Sequence, residues 1–226
     1  MKNQRHTLRA LALLLSYPDE RILELLPLVA DALDAEGALR APRRLELRGF
    51  ARSLARMDPI EAQMQFVELF DRGRSTSLHL FEHVHGDSRE RGPAMIDLVK
   101  TYETAGLLIA PHEVPDHLCV VLEFASTQPP AVAREFLGEM AHILTAIFSA
   151  LRKRESPYAS VVAAILELAG HKAEAVPVAD EQPLDEAWAE PAVFDGCSTQ
   201  GQARPGQPQP LHFVRQAPAR AMGARA

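Results

Sequence analysis

The sequence predicts an all-α protein. Apolar residues recur at helical spacing almost everywhere before residue 170, and no segment alternates apolar and polar positions between hairpin turns. With 226 residues and 47% hydrophobic content, the chain has enough apolar material to fill a core. The expected architecture is a single helical bundle of about eight helices over residues 1–170. A Pro-, Gly- and charge-rich tail, disordered or loosely docked, follows over 171–226.

The elements follow in order. A first helix is expected over 4–16. The second, over 18–34, places Ile22, Leu25, Val29 and Leu33 on one face, and the third, over 43–57, does the same with Leu47, Phe50, Leu54 and Met57. Asp58 and Pro59 supply the N-cap and first-turn signals of a fourth, whose stripe is Ile60, Met64 and Val67 joined by Phe66 and Phe70, with Gly73 closing it. A longer helix is expected over 88–109, capped by Ser88 and carrying Met95, Leu98, Tyr102 and Ile109. Pro111 and Pro115 then force a loop, and a short helix spans 116–126. Pro129 opens the longest helix, with Val132, Phe136, Met140, Ile143, Ile147 and Leu151 on one face. Pro157 begins the last, in which Tyr158, Val161, Ile165 and Leu168 point inward and Gly170 stops the helix.

Beyond Gly170 the helical period is lost. Residues 174–195 carry seven acids and no base, and seven of the 17 prolines lie beyond 170. Such a segment cannot bury enough apolar surface to offset its ordering entropy. Trp188 and Phe194 are the side chains in it able to clamp onto the helical body, and an unattached tail is the equal alternative.

Composition excludes several functions. A net charge of -6 argues against nucleic-acid binding, which needs a positive surface. The apolar run from Ala10 to Leu15 is far shorter than the ~20 residues needed to cross a bilayer, and no small-x-small cleavage site follows it, so a cytoplasmic location is expected. Cys119 and Cys197 lack the spacing of a disulfide framework or a zinc site. The phosphate-loop, dinucleotide, serine-hydrolase and zincin motifs are all absent.

Polar information is densest in FVELFDRGRSTSLHLFEHVHGDSRERG, residues 66–92. His79 and His83 would share a face if helical, and with His85 and Asp87 they raise the possibility of a metal-dependent hydrolase. Gly86 is expected to break any helix beside His85, so spacing does not bring the three imidazoles together, and no metal is expected. Arg72, Arg89 and Arg91 flank the histidines and complete a polar patch. A second cluster lies between two prolines: Glu113, Asp116 and His117. Asp116 is placed to N-cap the following helix, and the group suits a cationic peptide.

The order of F-V-E-L-F-D-R-G, S-L-H-L-F-E-H-V-H-G-D-S-R-E-R-G-P-A-M-I-D-L, Tyr102, E-V-P-D-H-L and L-E-F-A-S closely resembles the nitrate reductase assembly chaperones of the TorD/DmsD-like family of redox-enzyme maturation proteins. The likeness covers roughly residues 6–170. It implies a TorD-like helical bundle that is a chaperone, not an enzyme, and a monomer when free. The implied client is the catalytic (alpha) subunit of a respiratory nitrate reductase, with its iron-sulfur (beta) subunit as a possible second partner. The chaperone holds the N-terminal peptide of the apo-subunit, assists insertion of the molybdenum bis-guanine-dinucleotide cofactor without permanently binding a cofactor, and delays membrane anchoring. The family's Y/F-x-x-L-F motif falls on Phe66, Leu69 and Phe70, and its E-x-x-D-H motif on Glu113, Asp116 and His117, with Tyr102 preceding that loop. These seven residues are the candidate client-binding set. A generic helical scaffold is the remaining alternative, distinguished by having no preference for a client N-terminus.

Overall fold

A computed structural model of the chain describes residues 2–86 and 88–178. Expectations resting on Asp87, Trp188, Phe194 and the rest of the C-terminal segment lie outside the described residues. Among the described residues ten α-helices run in order: α1 Arg5–Leu14, α2 Glu20–Glu36, α3 Ala41–Leu54, α4 Pro59–Phe66, α5 Glu82–His85, α6 Arg91–Thr104, α7 Leu118–Thr127, α8 Pro130–Glu139, α9 Ala141–Lys153 and α10 Ala159–Ala169. A π-turn, Val67–Asp71, continues α4, and a 3₁₀ turn, Arg74–Thr76, follows it. Among the described residues no strand forms; His79 and His117 make one isolated antiparallel bridge. No helix among them is long and apolar enough to cross a membrane.

The core is built around α1 and α10. Every residue from Val161 to Leu166 is buried, as in a helix that is apolar all round and therefore enclosed. Helix α10 packs on α8, α9, α3 and α1, while the other side of α1 meets α7 and α2. Across the α1–α2 pair, the Glu36 carboxylate accepts the backbone N–H groups of His6 and Thr7 at 3.0 and 2.9 Å. A negative charge thus meets the open donors at the N-terminus of α1.

Local chemistry explains most boundaries. Asp19 caps α2 by accepting the Ile22 N–H at 2.8 Å, and Gly37, at φ 53°, ends it in the left-handed conformation. Asp58 caps α4 by accepting from Ile60 and Glu61, as expected.

Five expectations are corrected. Ile60 and Met64 do not face the core: each is 67% exposed, and α4 buries Ala62 and Phe66 instead. Gly73 is not a left-handed helix stop; a Cβ there would meet the Leu69 carbonyl oxygen at 2.5 Å, so the glycine allows the chain to pack closely against the π-turn. Ser88 does not cap α6, which starts at Arg91 and ends well before Pro111. Its stop is the turn at Gly106, φ 82°, where the Leu107 N–H returns to the Tyr102 carbonyl. The long helix expected from Pro129 breaks at Met140 into α8 and α9, both packed on α10. Finally, His117 rather than Asp116 caps α7, its Nδ1 accepting the Cys119 N–H at 3.3 Å.

Candidate functional site

The two halves of the predicted site lie on either side of the π-turn Val67–Asp71. On one side is a groove of about 830 Å³, walled by α4, the C-terminal end of α3 and the turn before α10. Phe50, Leu54 and Tyr158 supply its buried surface. Phe66 and Phe70 do not line it; they are buried with ring centroids 4.8 Å apart, and the Tyr158 ring meets Phe70 edge-on at 4.9 Å. Leu69, half-buried, lines the wall with Tyr17, Met57, Ile60 and Met64. Arg72 is at its edge, paired with Glu68 at 3.1 Å. The exposed pair Ile60 and Met64, one turn apart on α4, presents apolar surface that nothing in the described chain covers.

On the other side is a buried polar cluster built on Asp116, whose side chain is 0% exposed. Leu80 N–H donates to the Asp116 carbonyl at 3.1 Å and Leu118 N–H to the Leu78 carbonyl at 2.8 Å, so segments 78–81 and 116–118 are tied by their backbones. The carboxylate completes the tie: its Oδ2 accepts the Phe81 N–H at 3.0 Å, with Arg91 Nη2 at 3.7 Å, and its Oδ1 lies 3.5 Å from His79 Nδ1. Burial alone would raise the carboxyl's pKa. The hydrogen bonds from His79 and Phe81, with the charges of His79 and Arg91, outweigh it and hold the group below the ordinary carboxylate range. His79 is raised by its hydrogen bond to Asp116 against the opposing effect of burial.

His117 behaves in the opposite way. Burial first, then the neighbouring His79 charge, lower its pKa. Its Nδ1 accepts the Cys119 N–H, so this nitrogen carries no proton and the ring is neutral when it caps α7. The two rings meet edge-on with centroids 5.1 Å apart. Asp71, in the π-turn, and Glu113 both act electrostatically on His117, so the polar cluster and the groove wall share one backbone segment. Tyr102 is buried on Phe124, and its hydroxyl donates to the Pro115 carbonyl at 2.9 Å, anchoring the loop that carries Glu113 and Asp116. Burial, then the Asp116 charge, push that phenol's pKa up.

The structure therefore sorts the candidates by what each can touch. Leu69, Glu113 and part of His117 are accessible; Phe66, Phe70, Tyr102 and Asp116 are buried and position others. The carboxylate expected to meet a cationic peptide is already satisfied inside the chain. In the second patch, His79 lies outside α5, so it shares no helix face with His83. His83 Nε2 donates to the Ser77 carbonyl at 2.9 Å, and His85 stands edge-on to Phe81. Arg91 also pairs with Glu82, at 3.3 Å, while Arg72 and Arg89 are exposed. No group of three or more His, Cys, Asp or Glu side chains among the described residues could hold a metal ion. Sequence reasoning missed Tyr17 and Met57 as groove-lining residues; Tyr17 precedes Pro18, in a turn outside any periodic face.

The described residues thus form an all-α body with an apolar groove on one side and an internally satisfied polar cluster on the other. The family described as the nitrate reductase delta subunit matches residues 36–164. The nitrate reductase molybdenum cofactor assembly chaperone NarJ of Escherichia coli K12 is 42% identical over 190 residues, 80% of each chain. The probable assembly chaperone NarW of the same strain is 37% identical over 198 residues, 82% of each. A crystal structure of a putative redox enzyme maturation protein from Archaeoglobus fulgidus shares the fold at TM-score 0.51 and 23% identity, covering 72% of this chain and 91% of that one. The chain belongs to the nitrate reductase delta subunit family, and it is a chaperone rather than an enzyme.

Proposed function

We propose that this protein is the dedicated assembly chaperone of a respiratory nitrate reductase. In this reading it binds the apo form of the catalytic (alpha) subunit by its N-terminal peptide. It keeps that subunit open to insertion of the molybdenum bis-guanine-dinucleotide cofactor and delays membrane anchoring until insertion is complete. The chaperone works in the cytoplasm as a monomer, holds no cofactor of its own permanently, and leaves the finished enzyme. The iron-sulfur (beta) subunit is a second partner when the alpha subunit is already paired.

The observation that carries the reading is the exposed Ile60–Met64 face in a groove whose buried surface is supplied by Phe50, Leu54 and Tyr158. An amphipathic helix seated there buries its apolar face against side chains that the fold leaves open, the usual helix-in-groove mode. The buried Asp116 cluster ties segments 78–81 and 116–118 together, and Asp71 of the π-turn that carries Leu69 acts electrostatically on its His117. The names of the curated relatives support nitrate reductase as the client and molybdenum cofactor insertion as the step served.

The test is capture of the tagged full chain from cells respiring nitrate. Recovery of the reductase catalytic subunit lacking molybdenum supports the proposal. Recovery of a mixed set of proteins with no enrichment of that subunit supports a generic scaffold instead.

A further inference from the structure

The outer face of α3 offers a surface that borders the groove, sharing Phe50, Ser53, Met57 and Pro157 with it, and extends beyond it over Leu45 and Gly49. Leu45 is 71% exposed at its start, and Gly49 lies one turn on, mid-helix, with open space where a Cβ would be. Two hollows, of about 440 and 520 Å³, meet at Gly49 and Ser53, and Pro157 and Ser160 of the neighbouring segment form the opposite wall of the first. A glycine inside a helix costs stability relative to alanine, and here no neighbouring atom in the described chain requires it. What it does permit is a close approach from outside.

Arg43 pairs with Glu46, and Arg44 and Arg48 share the single carboxylate of Asp34, but Arg52 and Arg56, one turn apart and exposed beside the second hollow, have no ion pair among the described residues. We infer that the Leu45–Gly49–Ser53 face of α3 seats a helix of a partner protein, apolar where it meets Leu45 and Gly49 and carrying carboxylates on the edge facing Arg52 and Arg56. A second copy of this chain is a poor occupant, because pairing two α3 helices would set one arginine row against the other. The surface adjoins the client groove at Ser53 and Pro157 but is marked off from it by Leu45, Gly49, Arg52 and Arg56, and the inference does not rest on the client-peptide reading.

The test uses the full chain and two designed helical peptides of five turns, about 18 residues, with the same leucine face and either glutamate or lysine on both flanks. Fluorescence anisotropy at low salt is expected to give a dissociation constant at least about tenfold lower for the glutamate peptide. Gly49→Leu, which fills open space and favours helix, should weaken that binding by about tenfold or more, and Arg52→Glu with Arg56→Glu should reverse the preference. Ile60→Glu, in the client groove, should leave it unchanged. Equal binding of the two peptides, insensitivity to Gly49→Leu, loss of binding in Ile60→Glu alone, or dimerisation of the free chain through α3 would each overturn the inference.

Discussion

The Asp116 carboxylate accepts the Phe81 backbone N–H at 3.0 Å, joining two loops that lie 35 residues apart in the chain. The bond explains why an acid beside a helix start is not that helix's cap. Asp116→Ala leaves the Phe81 donor and the Arg91 charge without their buried acceptor, and an unfolding free energy lower by about 1–3 kcal/mol is expected. Asp116→Asn retains an acceptor and should lose less. Urea denaturation of the two variants decides the matter: equal, negligible losses would show that the tie is not structural.

The adjacent histidines should titrate on opposite sides of the ordinary value. His79 is raised, so its contribution to stability is fully present below its unfolded pKa of ~6.5 and is lost as pH rises through the higher folded value. His117 is lowered, so its contribution is present above ~6.5 and is lost as pH falls through its folded value, when a proton on Nδ1 breaks the α7 cap. Asp116, also lowered, contributes above ~3.9 and ceases to as pH falls through its folded value. Imidazole NMR titration should show His79 protonating at higher pH than His117; the reverse order would refute the assignment.

The buried aromatic cluster around Phe66 and the exposed lining of the groove should separate on substitution. Phe66→Ala empties a site within an aromatic cluster and is expected to cost about 3–5 kcal/mol. Met64→Glu, on an exposed position, should change stability by less than about 0.5 kcal/mol yet weaken client-peptide binding. A large stability loss in Met64→Glu would mean that this face is already packed.

Gly73→Ala should act through the backbone. The added methyl would meet the Leu69 carbonyl oxygen at 2.5 Å and the Thr76 hydroxyl more closely still. The π-turn must shift, at about 1–3 kcal/mol, the range of overpacked sites. An unchanged thermal midpoint would show that the turn yields freely.

Helix spacing made the bundle readable, because burying one apolar face per helix leaves a local record in the sequence. That record does not say which face is buried when a helix has two. On α4 the stripe Ile60–Met64 and the set Ala62–Phe66 are both apolar, and only the packing of Tyr17, Phe70 and Tyr158 around Phe66 selects the second. The break at Met140 left no proline, and the apolar stripe runs on across it because α8 and α9 pack on the same helix. Gly106 was a visible stop for α6, but Pro111 was read in its place. At the site, the residues Asp116 and His117 could be picked out locally, whereas their roles depend on Phe81, His79 and Arg91, brought in from more than twenty residues away.

The most direct test of the central claim is calorimetric titration of the full chain with the N-terminal peptide of the nitrate reductase catalytic subunit. The account expects saturable binding with a negative heat-capacity change from apolar burial, weakened at least about tenfold by Met64→Glu and Ile60→Glu in the still-folded chain. No binding of a soluble peptide at high micromolar concentration, or binding indifferent to both substitutions, would contradict it.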